Sequence, residues 1–102
     1  MKYFLIKYRL TSGTEAAWHQ DIGRFIAALN DDPALKGKIS YRCMKARGGT
    51  DYFHLATVID EDAVKLLQSR DFFKLYTEQT KQAAGGAVEV LPLEVVAETK
   101  PA

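Results

Sequence analysis

The sequence predicts an α+β fold of element order βαββαβ, with four strands in one antiparallel sheet and the helices packed on one of its faces. Three observations predict it: segments of two-residue periodicity, segments whose apolar groups recur every three or four residues, and glycine pairs where one pattern gives way to the next.

From Tyr3 to Leu10 the side chains alternate, with Phe4, Ile6, Tyr8 and Leu10 on one face and Tyr3, Leu5, Lys7 and Arg9 on the other, which is a strand. The SGTE that follows predicts a capping box in which the Ser12 hydroxyl accepts from the amide of Glu15. Trp18, Ile22, Phe25, Ile26 and Leu29 then fall on one helical stripe that ends near Asn30, ahead of Pro33. Ile39 to Ala46 forms a second strand, and its Ser40, Arg42 and Lys45 suit a sheet edge. RGGTD reads as a hairpin turn, Gly48 and Gly49 supplying positive φ angles, and the third strand runs from Tyr52 to Ile59. Asp60 caps a short helix from Glu61 to Gln68. At SRD a fresh N-cap, Ser69, starts a longer helix to about Ala84, with Phe72, Leu75, Tyr76 and Ala83 on its apolar side. Gly85 and Gly86 end it, and AVEVLPLEVV is the last strand, its ladder broken at Pro92. The plan is ferredoxin-like: a four-stranded antiparallel sheet with helices on one face, a single domain over residues 1–97, and a frayed tail at 98–102.

The 102 residues, 47% of them hydrophobic, suffice for one core and leave no room for a second domain. A formal net charge of +1 from 14 basic and 13 acidic side chains builds no extended field, so neither nucleic acid nor a membrane is expected as a partner. Cys43 stands alone and forms no intramolecular disulfide, while MKYFLIKYRL is too short and too charged for a signal peptide or membrane span. Both fit a cytoplasmic protein. The two histidines and one cysteine have no metal-ligand spacing, so no metal is expected.

The stretch TDYFHLATVID sets His54 in the middle of the third strand. Alternation groups it with Tyr52, Ala56 and Val58, and assigns Phe53, Leu55 and Ile59 to the greasier face that helices cover. The imidazole then points toward a dimer contact or a barrel interior. Its ordinary pKa of about 6.5 suits a general base in an apolar wall; a cross-strand hydrogen bond is the structural alternative. Tyr8, Tyr41, Tyr52 and Arg42 are candidate donors to a phenolate or carboxylate, and Trp18 is a candidate pocket wall within the first helical stripe. His19, four residues after Glu15, suits a solvated surface pair. Both faces of strands one and three carry large apolar groups, so the face without helices needs a cover, most simply a second copy of the chain.

The third strand running into DEDAVKLLQSRDFFKLY, an acidic turn, short helix, break and aromatic helix, together with the closing VEVLPLEVV, resembles the dimeric α/β-barrel superfamily, most closely its antibiotic-biosynthesis-monooxygenase-like group. The resemblance implies two sheets packed face to face in a homodimer, with a pocket between sheet and helices or inside the barrel. It also implies oxidation of a small aromatic or polyketide-like substrate by O2 without metal, flavin or other cofactor, through a carbanion that reduces oxygen itself. On that reading His54 is the catalytic base, Tyr52 or Arg42 orients the substrate, and Trp18 walls the pocket. The YFH of Tyr52, Phe53 and His54 is similar to the Tyr-Thr-His of a sister group that includes a polyketide cyclase, while the first group's Glu-x-Trp positions fall here at Thr57 and Ile59. A lyase, cyclase or isomerase on the same scaffold and a non-catalytic small-ligand-binding dimer are the alternatives.

Overall fold

The computed structural model describes residues 1–100; the end of the expected frayed tail, 101–102, lies outside the described residues. The elements are β1 (Lys2–Arg9), α1 (Glu15–Asp31), β2 (Ile39–Lys45), β3 (Asp51–Val58), α2 (Glu61–Ser69), α3 (Asp71–Ala83) and β4 (Val88–Leu93). The sheet order is β2-β3-β1-β4 with every neighbouring pair antiparallel, the ferredoxin-like arrangement. The polar alternation of β2 correctly marks it as an edge. β4 is the other edge, and it runs through Pro92, in register with Phe4, to Leu93, because an edge strand has one side that needs no donor.

Two helix starts differ from expectation. Gly13 takes φ +81° and turns the chain, so the N-cap of α1 is Thr14, whose Oγ1 accepts from the Ala17 amide at 3.2 Å, and not Ser12. At the α2–α3 break, Ser69 closes α2 instead of opening α3, its hydroxyl donating to the Leu66 carbonyl at 2.6 Å. Arg70 stands at the N-cap of α3 with no capping side chain; its Nε donates instead to Asp32 at 2.9 Å, tying the break to the end of α1. Gly85 and Gly86, at φ +65° and +92°, end α3 as the pair predicts.

The facing of β3 is reversed from the sequence reading. Tyr52, His54, Ala56 and Val58 are buried beneath the helices, and Phe53, Leu55 and Thr57 are half-buried on the open face. Both sets are apolar enough to be covered, so hydrophobicity does not choose between them. The partners that α1 and α3 supply do: they bring the hydroxyl and ring groups that meet the imidazole. Beneath α1, Trp18, Ile22, Phe25 and Leu29 pack as their stripe predicts, joined by Leu35 from the turn after the helix. On α3 the inward stripe is Tyr76, Thr80 and Ala83, while Leu75, expected inside, is 60% exposed. Successive helix residues lie about 100° apart, so Tyr76 pointing inward turns Leu75 away. The Tyr76 ring stacks on Phe25 with centroids 3.8 Å apart and planes 3° from parallel.

Candidate active site

Sheet register builds the site. His54 pairs with Ile6 on β1 and with Cys43 on β2, which places Tyr8 and Tyr41, each two residues along, on its two diagonals and on the same face. Diagonal neighbours lie within reach of long aromatic side chains. Tyr8 Oη is 2.8 Å from Nε2, and Tyr41 Oη is 3.0 Å from Nδ1. Tyr76 descends from α3 to place its hydroxyl 2.9 Å from Nδ1 as well, and Trp18 Nε1 donates to Tyr8 Oη at 2.7 Å. The imidazole at the centre is 0% exposed.

The donors and acceptors set the tautomer. Indole N–H only donates, so Tyr8 Oη accepts from Trp18, and among the described residues His54 Nε2 is the only acceptor in reach of the Tyr8 proton. Nε2 is therefore unprotonated, and Nδ1 carries the N–H and donates toward Tyr76 and Tyr41, whose own oxygens are 3.4 Å apart. Burial pushes the imidazole down to about 4, so at neutral pH it carries no charge. Burial also holds the Tyr8, Tyr41 and Tyr76 phenols well above the usual tyrosine range and pushes the Cys43 thiol up to about 11. The cluster is neutral, its phenols and thiol protonated and its imidazole singly protonated, with every hydrogen bond after Trp18 leading toward Tyr41 and Tyr76.

Beside this cluster lies a chamber of about 330 Å³ between the sheet and the α2–α3 pair. Ile6, Ala56, Val58 and Val90 form its floor, with Val64, Leu67 and Phe73 above. His54 does not line it; the Tyr41 ring does, and its hydroxyl rests on the imidazole behind. Thr77 and Thr80 also line it, but their hydroxyls donate to the carbonyls of Phe73 and Tyr76 at 2.9 and 2.8 Å. Gln68 and Lys81 are the remaining polar lining groups, both exposed, and Val90 is 57% exposed on the β4 side, where the chamber opens.

Of the residues singled out by sequence, His54, Tyr8, Tyr41 and Trp18 meet in one cluster. Tyr52 stacks on Tyr8, centroids 5.2 Å apart, but its hydroxyl faces His19 Nε2 at 2.8 Å, away from the chamber. His19 lies 4.0 Å from Glu15 as expected, and its bond to Tyr52 is additional. Arg42 stands exposed on the open face, because strand alternation puts it opposite Tyr41. Tyr41 is thus the one expected ligand contact that reaches the chamber. Tyr76 is the cluster member the sequence reading treated only as helix packing; its spacing of four and seven to Thr80 and Ala83 was the available signal. Tyr8 and Tyr52 also border a shallow groove at the strand ends, where Lys7 faces Glu89 at 3.9 Å and Arg9 pairs with Asp51 at 3.1 Å. Among the described residues no three His, Cys, Asp or Glu side chains gather as a metal site, and no helix is long and apolar enough to cross a membrane.

No protein-family model matches the chain, and no curated protein matches it by sequence. Solved structures do share its shape. SnoaB from Streptomyces nogalater, a cofactor-independent oxygenase, superposes with a TM-score of 0.76 at 17% identity over 99% of this chain and 97% of its own. A protein of Caulobacter crescentus proposed to be an antibiotic biosynthesis monooxygenase gives 0.77 at 16% identity, over 94% and 90% of the two chains. A dimeric ferredoxin-like protein from Jannaschia gives 0.66 at 17% identity, over 93% and 100%. The chain shares the ferredoxin-like fold of these proteins, the fold that the sequence resemblance implies.

Proposed function

We propose that the chain is a cofactor-independent monooxygenase acting, as a homodimer, on a small aromatic or polyketide-like molecule held in the chamber. The observation that carries this reading is Tyr41, whose ring lines the chamber while its hydroxyl rests on the buried imidazole. A phenol that burial keeps protonated is a donor and not a base, so it stabilises negative charge developing on a substrate oxygen. The Nδ1–H of His54, donating to Tyr41 directly or through Tyr76, polarises that donor further. A substrate whose carbonyl or phenol oxygen sits on Tyr41 loses a C–H proton to water at the chamber mouth. The resulting carbanion reduces O2: a C–O bond forms, the peroxide takes up a proton and loses water. A CH2 centre becomes C=O with one O2 consumed and one H2O released. His54 touches no substrate in this scheme. It acts as a positioning group, holding the Tyr41 hydroxyl by a hydrogen bond from Nδ1 while Nε2 accepts one from Tyr8.

The homodimer is supported by the open face, where Tyr3, Leu5, Phe53, Leu55 and Leu91 adjoin in register and Leu93 is 43% exposed. The dimeric Jannaschia neighbour supports the same assembly. A second reading, a lyase, cyclase or isomerase, draws on the same observation, since a hydrogen-bond chain aimed at the chamber serves proton donation without oxygen.

An oxygen electrode separates these readings over a panel of hydroxynaphthoquinols and anthrones. Oxygenation gives one O2 per product, with Tyr41→Phe lowering kcat by about 10- to 100-fold while KM changes little. Product without uptake assigns the second reading, and neither product nor uptake leaves a binding protein.

A further inference from the structure

We infer that the chamber selects ligands that carry an anionic oxygen, a carboxylate or phenolate, on a flat apolar body, and that Lys81 makes this choice. The inference rests on the chamber being the ligand site and adds the ligand's chemical class. Its basis is a count of the polar groups a bound molecule could meet. The Thr77 and Thr80 hydroxyls are committed to helix carbonyls, the floor is aliphatic, and Tyr41 and Gln68 offer only neutral polar groups. Among the described residues Lys81 is the only charged side chain on the chamber wall. Lys81 lines the chamber while its side chain is 56% exposed, so a ligand buried by its rings would bring a terminal anion to Nζ with that anion still partly in water.

The last turn of α3 favours a lysine in any case, and Nζ lies 3.6 Å from Glu78 Oε1. That pair is between two well-exposed side chains, worth little by itself and readily exchanged for a ligand anion. Glu78 is therefore a competitor for the same ammonium, and removing it strengthens anion binding.

The test is calorimetric titration with 2-naphthoate and its neutral isostere 2-naphthamide, two molecules of nearly the same shape. The wild-type protein is expected to bind naphthoate about tenfold more tightly. Lys81→Gln erases that preference while leaving the naphthamide affinity unchanged, and Glu78→Gln raises naphthoate affinity about twofold. Equal binding of both molecules by the wild type, or a preference that survives Lys81→Gln, overturns the inference and leaves the chamber reading standing. If neither molecule binds, or if Ala56→Phe, which fills the floor, does not weaken naphthamide, the chamber reading fails and the inference goes with it.

Discussion

The space between sheet and helices has two halves built on opposite terms. On the α1 side it is solid: Trp18, Tyr8, His54, Tyr41 and Tyr76 interlock, with no buried side-chain polar atom among the described residues left without a partner. On the α2 side it is hollow, a chamber of about 330 Å³ whose wall is mostly aliphatic and whose threonine hydroxyls are turned into their own helix. The difference teaches where each kind of group is tolerated. Buried polar groups are affordable only where each finds a partner, and an apolar void costs packing contacts without stranding any donor. Tyr41 belongs to both halves, which is why the hollow half acquires a hydroxyl at its wall.

The sharpest way to break this comparison is a pair of truncations. His54→Ala leaves three hydroxyls around an empty site and should cost about 4 kcal/mol, whereas Val64→Ala on the chamber wall should cost about 1 kcal/mol, because that side chain already borders a void. Urea unfolding measures both; equal losses would mean the two halves are not distinct.

Between about pH 6.5 and 4 acid should act on the solid half. The unfolded imidazole takes its proton near 6.5 and the folded one near 4. Between those values the unfolded chain binds more protons, so stability is full above about pH 6.5 and falls as pH drops toward 4. At about 1.4 kcal/mol per unit the loss approaches about 3 kcal/mol. A chain carrying His54→Asn should lack this component of the fall in a pH series of unfolding curves.

A smaller effect tests the direction of the hydrogen-bond chain. Tyr8→Phe removes the donor to Nε2 and should cost about 1 kcal/mol. It should also allow the ring proton to move to Nε2, visible as exchanged nitrogen chemical shifts of His54 in a ¹⁵N spectrum. Wild-type shifts already assigning the proton to Nε2 would contradict the derived polarity. Smallest of all, Val64→Leu adds a methylene into the void and should change stability by less than about 0.5 kcal/mol while raising KM for any chamber substrate.

The fold was legible because its signals are local. The alternation of β1, the Trp18–Leu29 stripe and the Gly85–Gly86 stop each act within one element, and the order of elements then leaves few topologies. The site was legible in part. His54 was conspicuous as a polar group in an apolar strand, and Tyr8, Tyr41 and Trp18 stood out as aromatics with polar tips. Tyr76 reads as packing, since a phenol on an apolar helix side looks the same from sequence whether or not a partner meets its hydroxyl. Arg42 and Tyr41 carry similar donor chemistry, and the pleat sends these two neighbours to opposite faces.

By itself the sequence determined the succession of strands and helices, the polar edge strand and the imidazole at the centre of β3, because periodicity and turn residues act over short spans of chain. Only the tertiary structure decided which face of β3 the helices cover, that a tyrosine stands between His54 and the chamber, and that one half of the interior is filled and the other hollow. Those outcomes depend on side chains as far apart in the chain as Tyr8 and His54 or His54 and Tyr76, brought within hydrogen-bond distance by strand register and helix packing.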